Sequence, residues 1–210
     1  MKIDIWSDIV CPFCYIGKRH LEQALEQSGL TDSVEIEWHS FELDPTAVTR
    51  PEASIYEELG RRKGWSLEQS KQIHNQMEER ARLAGLDYDF SKTIPANSRR
   101  AHRLLHLAKE NGVQDAVKEQ LLHGYFTEGK NIDDTNYLVE VGLHHGMTKD
   151  AVLVAIESPE MDKEVDADID VARRLGIQGV PFFVIDMKYG ISGAQPVEAF
   201  VEMFKEVAQQ

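Results

Sequence analysis

Apolar and polar residues alternate along Lys2-Ile3-Asp4-Ile5, and with Trp6 this short apolar pattern predicts a strand over 2–6. Val34-Glu35-Ile36-Glu37-Trp38 alternates in the same way and predicts a second strand over 34–38. Between them the period changes. Cys14, Gly17, Leu21, Ala24, Leu25 and Ser28 recur at three and four, with Lys18, Arg19, Glu22, Gln23 and Glu26 on the other face. That spacing predicts an amphipathic helix over 14–28, stopped by Gly29, with Gly17 leaving room for close packing.

From Pro45 onward the strand pattern disappears. Helical periodicity predicts helices near 51–63, 66–84, 96–110, 113–127, 133–145 and 148–157. Ser66 with Gln69 makes a capping box, while Asp133 or Asp134 and then Thr148 are N-cap candidates. Gly85, Gly112 and Gly146 sit where helices should end. A further helix spans about 160–175, with Val165, Ile169, Ala172 and Leu175 inward. Strand character returns over 180–185 and near 190–192, and a last helix covers 196–208 with Pro196 in its first turn. The turn between those two strands is short, so they should pair antiparallel. The order is β-α-β, a helical block, then α-β-β-α. The expected organisation is a discontinuous α/β domain (1–44 and 160–210) with an all-helical insertion at 45–159.

Composition narrows the partners. The chain has 210 residues and a formal net charge of −13. Such a chain repels polyphosphates, so nucleic acid is not an expected partner. Arg99, Arg100 and Arg103 are the notable basic cluster, read as a solvated helix face. No run approaches the ~20 apolar residues of a membrane span. Asp4 stands where a signal peptide needs its apolar region, so the expected location is the cytoplasm, with no membrane partner.

The two cysteines, Cys11 and Cys14, lie at the turn between the first strand and the first helix. In a reducing compartment such a pair points to catalysis or metal binding rather than to a permanent staple. At a helix start, free amides and the dipole should favour a Cys11 thiolate. Cys14, one turn further in, should be more covered. Cys11 then exchanges with the outside and Cys14 closes or opens the disulfide. Pro12 fits a first-turn position, and Phe13 at the tip suggests a substrate-contact surface. A zinc half-site completed by His102 and His106 is the alternative, but the long separation matches no compact zinc module, and no metal is expected. His39, at a strand end, reads as structural.

Cys11-Pro12-Phe13-Cys14 after a first strand, with Gly179-Val180-Pro181-Phe182-Phe183-Val184 near the end, resembles the thioredoxin fold. The helical insertion resembles that of DsbA-like oxidoreductases. Further details are similar to the cytosolic FrnE-like branch, grouped with hydroxychromene-carboxylate isomerase-like proteins: Asp8-Ile9-Val10 before the pair, Phe41-Glu42-Leu43-Asp44-Pro45, Asn97-Ser98 with Ala101-His102, and Gly193-Ala194-Gln195. The resemblance covers nearly the whole chain. It implies a cis proline at Pro181 against the cysteine pair, with Val180 offering its backbone to a substrate. It places Asn97 and His102 over the site, against the plain readings of an N-cap asparagine and a half-exposed helix histidine.

The implied activity is thiol–disulfide exchange with a protein or low-molecular-weight thiol or disulfide. No tightly bound cofactor is implied, and glutathione is a candidate co-substrate. The alternative is a glutathione-dependent isomerase or transferase of a small aromatic or polyketide-like molecule, held in a pocket lined by Trp6, Phe13 and Trp38. In such relatives serine stands at the first cysteine position; here Cys11 and Cys14 are both present, which favours a dithiol enzyme. Oligomeric state is not legible.

Overall fold

A computed structural model describes residues 1–208; the last two residues of the expected 160–210 segment lie outside the described residues. Strand β1 (Lys2–Ser7) runs into helix α1 (Pro12–Gln27) and then β2 (Glu35–Ser40). The helical insertion carries α2 (Ile55–Lys63), α3 (Leu67–Leu83), α4 (Arg99–Glu110), α5 (Gln114–His123), α6 (Thr135–His144) and α7 (Lys149–Glu157). Helix α8 (Pro159–Arg174), strands β3 (Phe182–Ile185) and β4 (Tyr189–Ser192), and helix α9 (Val197–Ala208) follow.

The strands form one sheet in the order β2-β1-β3-β4. β1 and β2 are parallel, with Ile3 opposite Ile36 and Ile5 opposite Trp38. β3 lies antiparallel to β1 and, as the short turn requires, to β4. The alternation read from the sequence sorts side chains between two faces. Ile3, Ile5, Phe183 and Ile185 pack on one face with Leu21 and Leu25 of α1 and Phe200 and Phe204 of α9. Trp6 and Val184 pack on the other, with Ala172 of α8 and Ile177 just after it. A second, larger core fills the helical insertion and takes in Ile9, Tyr15 and Ile16 from the turn and start of α1. Helix α1 therefore contributes to both cores, and the cysteine turn at its start sits on the insertion's core.

Gly17 faces this junction. A Cβ there would stand 3.0 Å from Pro181 Cγ and 3.1 Å from Phe183 Cζ, so the sheet and the Val180-Pro181 loop press directly on the α1 backbone.

Several expected boundaries moved. Residues 51–54 form a turn, because Ser54 is extended and the helix begins at Ile55. Helix α4 begins at Arg99, since the Asn97 side chain accepts the Arg99 N–H at 2.8 Å and turns the chain just before it. Helix α5 stops at His123 and passes into a π turn, Gly124–Glu128. The Ser66–Gln69 capping box and the Asp134 and Thr148 caps are formed.

The arginine cluster differs more. Arg99 reaches Glu42, Asp162 and Asp166, and Arg103 holds Asp162 at 2.7 Å. Arg100 donates to the Asp133 carbonyl at 2.6 Å and pairs with Glu157. These side chains tie α4 to α8 and to neighbouring loops rather than covering a solvated face, because the partners come from far along the chain. Among the described residues, no helix is long and apolar enough to cross a membrane.

Candidate active site

Cys11 is the N-cap of α1, extended at φ −91° and ψ 112°, and Pro12 takes the first helical position. That position tolerates proline because its N–H would have no helical partner. The Cys14 N–H donates to the Cys11 carbonyl at 3.0 Å, which places the sulfurs on one turn. Both cysteines are free and buried, Cys11 at 3% exposure and Cys14 at 0%. The Tyr88 hydroxyl donates to the Pro12 carbonyl at 2.7 Å and ties the turn to the insertion.

The Val180–Pro181 bond is cis. Its loop lies against the pair, and the Cys11 thiol donates to the Val180 carbonyl at 3.4 Å. The N-cap backbone turns the sulfur toward Val180, and no side-chain cap bond forms to the free amides. The hydrogen bond with Cys14 and then burial push the Cys11 thiol well above its ordinary value. Burial also pushes Cys14 up, but Cys11, Lys118 and Ser7 outweigh it and its thiol is lowered. The two thiols therefore titrate as one coupled pair.

Beneath the pair lies a buried acid. Asp8 is 0% exposed; its Oδ2 accepts the Leu43 N–H at 2.8 Å and its Oδ1 lies 3.3 Å from His102 Nε2. Burial raises its carboxyl, and His102 and the Leu43 amide more than offset this, leaving it lowered and ionised. His102 is itself 0% exposed. It braces Asp8 and has no surface to offer a substrate. Asn97 donates to the Ala47 carbonyl at 2.9 Å and holds the loop after β2.

A cavity of about 470 Å³ opens beside Cys11. Cys11, Phe13 and Val180 form one wall, and Ile55, Leu59, Ile73 and Met77 from α2 and α3 face them. Phe13 is 36% exposed at this opening. Trp6 and Trp38 are not at this wall. Trp6 is 1% exposed, stacks on His39 at 4.5 Å and donates to the Asp168 carbonyl; Trp38 is 3% exposed and donates to Asp115. Both belong to the sheet, whose pleat turns them away from the cysteine turn. His39 lies between Asp4 and Asp168, 2.8 Å from each. His106 lies 3.0 Å from the Ser40 hydroxyl, so it and His102 are directed at separate partners.

A model of the DSBA-like thioredoxin domain matches residues 2–205. The chain belongs to the DSBA-like thioredoxin family. Among similar solved structures is a probable DsbA oxidoreductase from Streptomyces coelicolor, 36% identical, covering 100% of this chain and 91% of that one, with a TM-score of 0.92. The cytosolic disulfide reductase DsbM from Pseudomonas aeruginosa is 14% identical, covers 100% of both chains and has a TM-score of 0.69. A 2-hydroxychromene-2-carboxylate isomerase is 15% identical, covers 100% of this chain and 97% of that one, with a TM-score of 0.70. The last two are likenesses of fold.

Two residues of this DsbA-like site were not singled out in the sequence, Asp8 and Lys118. Asp8 stood inside the quoted motif, three residues before Cys11, without a role. Lys118 lies one turn after Gln114 and one before Leu122, inside a buried stripe of α5. A lysine on an apolar stripe was the available signal.

Proposed function

We propose that this protein is a thiol–disulfide oxidoreductase that cycles between a Cys11–Cys14 disulfide and the dithiol. The observation that carries the reading is the asymmetry of the pair: Cys11 lines the cavity and touches the Val180 carbonyl, while Cys14 is sealed behind it. An incoming thiolate can reach only the Cys11 sulfur. It attacks Cys11 Sγ, the Cys11–Cys14 bond breaks, and Cys14 leaves as thiolate. In the reductive direction, Cys11 first gives up its proton and its thiolate attacks a substrate disulfide; Cys14 thiolate then attacks Cys11 Sγ and releases the second substrate thiolate. Once Cys11 is in a mixed disulfide, the Val180 carbonyl no longer receives a thiol proton and can accept an N–H from the substrate.

The substrates in this reading are thiols or disulfides of proteins or small molecules, with glutathione as co-substrate and the cytoplasm as compartment. The likeness to a cytosolic disulfide reductase supports that setting. The test is insulin reduction and oxidative refolding with Cys11→Ser and Cys14→Ser. Cys11→Ser should lose exchange activity by at least about 10³-fold. Cys14→Ser should accumulate mixed disulfides on a non-reducing gel. Full activity in Cys11→Ser would sink the proposal.

A second reading is a glutathione-dependent isomerase or transferase. The cavity of about 470 Å³ favours it, since that volume suits a small molecule held beside Cys11. Glutathione binding by calorimetry, with catalysis retained in Cys14→Ser, would select this reading; absence of glutathione affinity would remove it.

A further inference from the structure

Part of the lining of the cavity beside Cys11 is aromatic. His74 of α3, Phe90, and Tyr125 and Phe126 of the π turn all face into it. Their rings form one chain. His74 and Phe90 meet edge to face at 4.7 Å, Phe90 and Phe126 at 6.0 Å, and Phe126 and Tyr125 at 4.8 Å. Phe126 also stacks on Tyr88 at 4.6 Å, and the Tyr88 hydroxyl holds the Pro12 carbonyl between the two cysteines. The aromatic wall is thus anchored to the reactive turn. The π turn is what brings two consecutive side chains, Tyr125 and Phe126, to this one cavity. Gly124 opens that turn, since a Cβ there would meet the Tyr137 hydroxyl.

Two polar atoms on this wall have no partner in the protein. Tyr125 is 3% exposed, and its carbonyl accepts from Thr93 at 3.5 Å. Among the described residues, nothing bonds to its hydroxyl, which is not a sealed atom and so opens into the cavity. His74 is 4% exposed. Its Nδ1 lies 2.7 Å from the Ser70 carbonyl, which can only accept, so Nδ1 carries the proton. Nε2 is left as a lone-pair acceptor, again unsealed and without a protein partner among the described residues. Burial lowers the His74 pKa and keeps the ring neutral. The charged side chains that line the cavity are answered elsewhere: Asp44 pairs with Arg62, Glu58 with Arg61 and Arg50, and Lys63 is exposed to water. The interior therefore offers one donor and one acceptor in apolar surroundings, and no free charge.

We propose that this wall is a specificity subsite for a small, uncharged, ring-bodied thiol or disulfide that carries a hydroxyl group. Tyr125 donates to the ligand oxygen, and His74 Nε2 accepts a ligand proton. A cavity of about 470 Å³ suits such a molecule. Rings spaced at 4.6–6.0 Å continue naturally to a ligand ring. A buried hydroxyl left without a partner selects for a ligand that supplies one. The proposal deepens the oxidoreductase reading and rests on it for its chemistry. There the Cys11 thiolate attacks one sulfur of the ligand disulfide, the Cys11–sulfur bond forms, the ligand S–S bond breaks, and the other half leaves with the electron pair.

The test uses two thioethers that cannot exchange, para-hydroxythioanisole and thioanisole, titrated calorimetrically into the reduced protein. The hydroxylated probe should bind about tenfold tighter, as two modest hydrogen bonds allow. Tyr125→Phe removes an oxygen without a protein partner, so the melting temperature should hold while the preference falls at least about threefold. Adding His74→Phe should remove the rest. Bound para-hydroxythioanisole should also slow alkylation of Cys11 by iodoacetamide at least about threefold, because it fills the space on which that sulfur opens. Equal affinity for the two probes, an unchanged preference in Tyr125→Phe, or unprotected Cys11 would each overturn the proposal. The oxidoreductase reading fails separately, through full exchange activity in Cys11→Ser, an outcome that leaves the probe preference where it is.

Discussion

The two sulfurs of this protein sit one helical turn apart, yet they face different regions. The Cys11 side opens on an apolar cavity between the cysteine turn and α2 and α3, with the Val180 carbonyl as its polar contact. The Cys14 side closes on Ser7, Asp8 and the interior of α5. The first region offers shape and few charges. The second holds a buried carboxylate and a buried ammonium. The proposed thiol exchange uses this asymmetry: one sulfur is reachable from the cavity and the other is sealed behind it. The difference teaches that the insertion serves the two sulfurs in separate ways. Helices α2 and α3 wall the cavity, and α4 and α5 supply His102 and Lys118.

Breaking the closed side should have the largest effect on stability. Asp8→Ala strands His102 and the Leu43 amide, and removing one partner of a buried ionic pair costs about 3–5 kcal/mol. Urea unfolding measures it; a loss below about 1 kcal/mol would mean the closed side is not held by this acid.

Paired carboxyls there and along β2 predict acid sensitivity. Burial raises the carboxyls of Asp8, Asp168 and Glu37, but their partners win: His102 for Asp8, His106 and His39 for Asp168, Lys109 and Lys2 for Glu37. All three end up lowered, Glu37 to about 2. Their stabilisation is complete above the ordinary carboxylate range near pH ~4 and is lost as pH falls through the folded values. The melting temperature should therefore drop steeply on acidification below about pH 4. In Asp8→Ala that drop should be shallower.

The seam between the two regions comes next. Gly17→Val places atoms against Pro181 and Phe183 and should cost about 1–3 kcal/mol, against a helix-propensity gain of only a few tenths. Exchange activity should fall with it, because the Val180-Pro181 loop is what the new side chain displaces. Unchanged activity at reduced stability would separate the loop from the chemistry.

Phe13→Ala on the open side should be the mildest. Phe13 is 36% exposed, so stability should stay within about 0.5 kcal/mol. The expected change is a several-fold rise in KM for apolar substrates, with kcat retained. A large loss of stability would show that the open side is structural after all.

Much of this was legible in the chain. Period-two alternation located β1 and β2, three–four periodicity located the helices, and Cys11-Pro12-Phe13-Cys14 marked the reactive turn. Local chemistry sufficed because each signal lies within a few residues. Ser66 with Gln69, and Asp134 and Thr148 as caps, belong to the same class. Gly17 was read as a close-packing position from its place in the α1 pattern, although what packs there lies far along the chain.

Tertiary structure alone decided the electrostatics and the pocket. A thiol's charge state depends on the groups around it, and for Cys11 these include the Val180 carbonyl, 169 positions later in the chain. The arginines of α4 gained their partners the same way, from Glu42, Glu157, Asp162 and Asp166. So did the cavity, whose walls come from the cysteine turn, α2, α3 and the loop before β3. Periodicity reports which face of an element is buried, but not against what. The sequence by itself set where the two sulfurs would stand; the packing of the insertion onto the sheet decided which one borders the cavity and which one is sealed.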